Sequence, residues 1–181
     1  MTTTAQRVVP VGAWTTDPVH STLEFSAKHM VVSSYRARMD DFEATLTGNE
    51  DGTARLEGTG RVASVVTGDE NLTGHLQSPD FFDAERHPEV RYAATDIARD
   101  GDELVVRGEL ALKGVTGPLE LRGSLLGPVA TPGDGEAIGL DLRGSFDRTD
   151  FGLTWNMTLP GGGVILGTTV TVDARLELRR A

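Results

Sequence analysis

The chain has no cysteine, which removes disulfides, thiolate metal sites and cysteine nucleophiles together. Aromatic residues make up only 6% of its 181 residues. No apolar run reaches the length of a membrane span, and MTTTAQRVVPVGAW at the N-terminus has no apolar stretch of signal-peptide length. The cytoplasm is therefore the expected compartment. Basic residues are in the minority, 17 against 27 acidic, for a formal net charge of -10. Such a surface is repelled by nucleic acid and by anionic headgroups, so electrostatic binding to either is not expected. What the chain has in quantity is glycine, 22 residues. With so few aromatics, that suits a bent, turn-rich β fold better than a helical one. The length fits one domain.

The dominant pattern is alternation with one dry face. Val164, Leu166, Thr168, Val170, Val172, Ala174, Leu176 and Leu178 fall on one side of the last segment, with Asp173, Arg175, Glu177 and Arg179 among those opposite. Successive strand residues point to opposite sheet faces, so this is a half-buried strand. The pattern recurs over Leu23–His29, Phe42–Leu46, Ala54–Val62, Val90–Ala94, Leu104–Leu112, Leu119–Leu125 and Ile138–Phe146. Turn-forming residues mark most of the joins. About eight antiparallel strands sharing one apolar side predict an up-and-down barrel, because closure removes the exposed edges. Asp69–Gln77 reads as a short helix ending before Ser78-Pro79, and Met30–Ser34 as a turn of helix. Residues 1–12 read as a flexible arm, and 13–181 as the single barrel domain. Several inward positions are small: Ala27, Ala44, Gly58, Gly60, Ala94, Gly108, Gly123, Gly144 and Ala174. Either a ligand occupies the space they leave, or the glycines serve strand bending and the core fills itself.

Short matches to enzyme motifs lack their structural context. Gly58–Ala63 fits a dinucleotide fingerprint, but it lies inside an alternating strand rather than at a strand-to-helix turn. Asp150-Phe151-Gly152 matches a kinase motif whose companions are missing. His20 and Ser21 are adjacent on a strand and face opposite ways, which argues against a triad with Asp17. The histidines His20, His29, His75 and His87 show no metal-ligand spacing, so no metal or cofactor is expected.

Longer segments carry more information. Asp17-Pro18-Val19-His20-Ser21 leads into Leu23, Phe25, Lys28, His29 and Met30; then come His75–Asp83, His87-Pro88, Leu110–Thr116 and Phe146–Trp155. In this order they resemble the YceI-like family of isoprenoid-binding, lipocalin-like barrel proteins, from about Trp14 to Leu178. The resemblance implies an all-β, eight-stranded antiparallel barrel with one or two short helices. It also implies a soluble binding or carrier protein holding an isoprenoid-type or other amphipathic lipid in an elongated apolar cavity, without catalysis. The segments carried over by position are His20-Ser21, Phe25, His29-Met30, His75-Leu76, Ser78, Phe81-Phe82, Arg148, Asp150-Phe151-Gly152 and Trp155. Phe42, Tyr92, Gly108 and Leu112 join the expected cavity wall from the inward alternation, with Gly108 as a point where a larger side chain would narrow it. His20, His29, His75, Arg148 and Asp150 are the polar groups for a headgroup, although Arg148 and Asp150 also suit a structural clamp on each other. The chain departs from the family pattern at Leu72-Thr73, where an Arg-Asp pair is usual, at Ala37 in place of Gly, and at Thr168 in place of an acid. Two other readings stay open: an enzyme acting on an isoprenoid or quinone-type lipid, and a structural or stress-related barrel with a filled core. The expected partner is a long-chain isoprenoid or quinone-type lipid, and a homodimer is left open.

Overall fold

The computed structural model describes residues 7–181. Eleven strands form: β1 (Gly12–Thr16), β2 (Thr22–His29), β3 (Ser33–Met39), β4 (Phe42–Gly48), β5 (Ala54–Arg61), β6 (Val65–Val66), β7 (Glu89–Asp100), β8 (Glu103–Leu112), β9 (Val115–Thr131), β10 (Gly135–Asp147) and β11 (Leu166–Arg180). Their order is β1-β4-β5-β7-β8-β9-β10-β11-β2-β3-β6, and β11 also pairs back with β1 to close the sheet. Both β1 and β2 run along β11, while β4 pairs with β1 and β3 with β2. Each of β1–β2, β3–β4 and β5–β6 is thus one long bent strand. The result is the expected closed barrel of eight antiparallel staves.

The bends have local causes. Pro18 has no N–H to give the ladder, and Val19 N–H turns to Asp17 Oδ1 at 2.9 Å. Ser21 Oγ repairs the pairing one step on, accepting from Glu177 N–H at 3.0 Å and donating to Glu177 O at 3.2 Å. The Asp17–Ser21 motif therefore builds a strand break, and its serine is committed to backbone. Between β3 and β4, Asp41 N–H donates to Ser64 Oγ at 2.9 Å, which ties that bend to the one in the third stave.

The two ends of the barrel are filled differently. At the end carrying the 49–53 turn, Trp14, Leu46, Leu104, Ile138 and Leu178 are all fully buried, and the interior closes on itself. The other end is roofed by α1 (Glu70–Gln77), the segment after it, and the chain between β10 and β11. Asp69 caps α1, its side chain accepting Leu72 N–H at 2.8 Å. Ser78 stops it: its N–H and Oγ both donate to His75 O.

Three expectations are corrected. Val9 is buried, and Trp14 Nε1 donates to Pro10 O at 3.2 Å. Residues 7–12 are thus packed on the barrel rather than loose, while residues 1–6 of the expected arm lie outside the described residues. Met30–Ser34 is not helical: residues 30–32 are the turn of the β2–β3 hairpin. Its second strand, β3, hides its alternation among Ser33, Arg36 and Arg38. Val164 is exposed, and the last strand starts at Leu166.

Candidate functional site

Beneath the roof is a cavity of about 250 Å³. It arises where the inward side chains become small: Ala27, Ala37, Ala44, Gly58, Gly60 and Ala174 all border it. Ala44 is paired with Gly58, and Gly58 with Tyr92, so adjacent staves present two small residues next to one another. Leu56, Leu110, Leu119, Leu121, Leu142 and Leu176 form the floor, and Phe25, Phe42, Phe146, Val170 and Val172 the walls. A void of this size exceeds the roughly 10–15 Å³ that one water needs, yet an apolar cavity gives water few partners.

The roof is aromatic. The His75 ring stands edge-on to Trp155, with centroids 4.6 Å apart, and to Phe81 at 4.9 Å; Phe81 and Trp155 are 5.4 Å apart. Phe82 reaches down to Phe25 in a T-shaped contact at 5.5 Å. The turn after α1 aims the two phenylalanines inward, because Ser78 O accepts from Phe81 N–H at 3.0 Å and Asp83 N–H at 2.9 Å. His75 Nε2 also meets Asp80 Oδ2 at 3.0 Å.

Arg148 is charged yet only 2% exposed, and it borders the cavity. It does not pair with Asp150. Its Nε donates to Gly167 O at 2.9 Å, Nη1 to Leu153 O at 2.6 Å and Trp155 O at 3.0 Å, and Nη2 to Leu166 O at 3.3 Å. Burial pulls its pKa below the ordinary guanidinium value, with Asp147 opposing. The clamp expected between two side chains is therefore a clamp from one guanidinium onto the main chain, and it fixes the loop carrying Trp155. Asp150 is exposed.

Of the residues expected at the ligand, Phe25, Phe42, His75, Leu76, Phe81, Phe82, Tyr92, Leu112, Arg148 and Trp155 border the cavity. His20, His29, Met30, Gly108 and Phe151 do not. His20 lies on the outer wall, with Nδ1 3.1 Å from Asp17 Oδ2. Contacts from His20, Val19 N–H and Arg179 hold the Asp17 carboxyl down to about 2. Asp17, His20 and Glu177 have ligand atoms within 4.8 Å of one another, but Arg179 Nε already sits 2.9 Å from Asp17 Oδ2. His29 backs the wall, its ring 4.2 Å from that of Tyr35. Met30 is exposed on the hairpin tip. Phe151 is buried behind Phe146, with ring centroids 5.1 Å apart.

Gly108 has a different role from the one expected of it. A Cβ there would lie 2.7 Å from Ala94 Cβ and 2.8 Å from the Tyr92 ring, besides meeting Ala93 O. The glycine is a seat for Tyr92, whose hydroxyl donates to Leu119 O at 3.0 Å and whose pKa is pushed up by burial. Tyr35 and Met39 are wall residues that the sequence reading passed over. With Ala37 they alternate along β3, and that was the available signal. Leu72 borders the cavity and extends its apolar lining to the helix.

The family model described as the YceI-like domain matches residues 14–178. The UPF0312 protein SAS2572 of Staphylococcus aureus is 30% identical over 167 residues, covering 91% of this chain and 95% of that protein. The crystal structure of BcnA from Burkholderia cenocepacia superposes with a TM-score of 0.74 at 19% identity, over 92% of this chain and 99% of that one. A polyisoprenoid binding domain from Saccharophagus degradans gives 0.64 at 17% identity, over 95% and 100%. The matched span runs from β1 to the end of the last stave and includes every element around the cavity, so this chain belongs to the YceI-like family.

Proposed function

We propose that this protein is a carrier that encloses the tail of an isoprenoid-type lipid in the cavity beneath α1. The observation that carries the reading is the division of the interior. One end of the barrel is packed solid, and the other is hollow, apolar and walled by small residues. Interiors close to near-crystalline density unless something else takes the space, and each tail methylene moved out of water contributes about 0.8 kcal/mol. Family membership and the description of the Saccharophagus degradans domain support the ligand class. In this reading the tail points to the leucine floor and the headgroup lies at the roof, near His75 and Arg148. Selectivity among tails is low, because a hydrophobic pocket separates homologues by only about 1–3 kcal/mol per methylene.

Two tryptophans make the test direct, since Trp155 borders the cavity and Trp14 is buried in the filled end. Titration with a prenyl alcohol such as farnesol is expected to shift Trp155 emission to a saturable endpoint at one molecule per chain. Emission that does not respond, together with a melting temperature that the alcohol does not raise, would refute the reading.

A further inference from the structure

Among the described residues nine large apolar side chains are exposed, and five of them share one place: Met30, Val31, Val32, Met157 and Val164. They sit on two loops stitched together by main chain. Met30 N–H donates to Ile165 O at 2.8 Å, and Ile165 N–H to Met157 O at 2.9 Å. Both loops belong to the roofed end, and Trp155 of the cavity is two residues from Met157. Acidic charge avoids this place in a chain of net charge -10. No acidic residue occurs from Phe25 through Met39, where Lys28 and Arg36 are exposed, and no charged residue of either sign from Phe151 through Val172.

The turn itself breaks local rules. Met30 and Val31 have φ of 47° and 66°, the conformation for which a tight hairpin turn selects Asn-Gly. A β-branched residue there is an outlier, and Val31 and Val32 are 84% and 82% exposed, so packing returns nothing for it. Rule-breaking of this kind collects at functional positions.

We infer that this tip is the surface by which the protein docks on a lipid bilayer, with Val31 and Val32 entering the headgroup–acyl boundary and Lys28 and Arg36 at headgroup level. A protruding two-residue tip suits a soft apolar phase better than a protein partner, which needs roughly 1,000 Å² of complementary surface. The choice of a bilayer rests on the carrier reading, because a bilayer is where such a ligand is collected and released. The bulk charge disfavours adhesion by the rest of the surface.

The test is flotation with uncharged phosphatidylcholine vesicles. The parent is compared with the double variant Val31→Asp/Val32→Asp and with a charge-matched control, Leu126→Asp/Val129→Asp. The control residues are 68% and 59% exposed on β9, towards the filled end. Farnesol binding is measured separately without vesicles. The tip variant is expected to lose vesicle binding at least tenfold while the control keeps it, with farnesol binding and melting unchanged in both. Asp tolerates positive φ better than Val, so the tip variant should fold. Docking is overturned if the parent does not float, if both variants lose binding equally, or if the tip instead joins two copies, seen as a parent dimer that the tip variant dissolves without any vesicle binding. Vesicle binding that depends on the tip in a parent that takes up no farnesol would support docking and refute the cavity reading.

Discussion

A guanidinium buried against four carbonyl oxygens gives Arg148 a task distinct from that of any surface arginine here. It gathers Leu153, Trp155, Leu166 and Gly167 around one side chain and thereby seats the roof loop. Replacing Arg148 with Met would strand those acceptors, and a buried unsatisfied polar group costs about 1–3 kcal/mol. Arg148→Met is expected to lower stability by roughly 3 kcal/mol or more in urea melts. A variant as stable as the parent would show that the carbonyls find other partners and that the clamp is dispensable. The position was legible in the sequence as part of the Phe146–Trp155 segment, but its role was not, because its partners are main-chain atoms that any residue supplies. His20 misled for a related reason. It stands in an informative motif, and that motif encodes the strand break at Asp17-Pro18 rather than a contact with the cavity.

The staves themselves were written plainly in the alternation, since a one-residue slip would invert every inward and outward position. Leu110, Leu112 and Leu142 are buried as expected, and Glu57, Arg107, Arg143 and Arg175 are exposed. Alternation says nothing about depth along the barrel, however, so it left both a hollow and a filled interior open. Register decides between them: it sets Ala44 beside Gly58 and puts Gly108 under Tyr92. The two glycines should therefore respond in opposite ways. A Cβ at Gly58 meets nothing closer than Glu43 O at 3.7 Å and would point into the cavity. Gly58→Leu is expected to melt no lower than the parent and to weaken prenyl alcohol binding at least tenfold. Gly108→Leu is expected to lose about 1–3 kcal/mol or more through overpacking against Ala94 and Tyr92. Equal destabilisation by the two substitutions would contradict the placement of the void.

At the scale of the whole molecule, one chain combines a solid end that supplies stability with a hollow end that supplies space. The solid end holds Trp14, the largest of the fully buried side chains, together with Leu46, Leu104, Ile138 and Leu178. The hollow end carries the aromatic roof, the Arg148 clamp and the apolar hairpin tip, so the components with a proposed role in lipid handling are gathered on one side. Composition could not reveal that separation, because the charge of -10 is a sum over a surface whose roofed end has long stretches without acidic residues. The central claim is that the cavity belongs to a lipid tail. It is tested most directly by purifying the parent without detergent, extracting it with organic solvent under denaturing conditions, and identifying the extract by mass spectrometry. A prenyl-chain lipid near one per barrel in the parent, and absent from Gly58→Leu, is the expected result. An extract free of such lipids from a parent whose melting temperature no prenyl alcohol raises would contradict the claim.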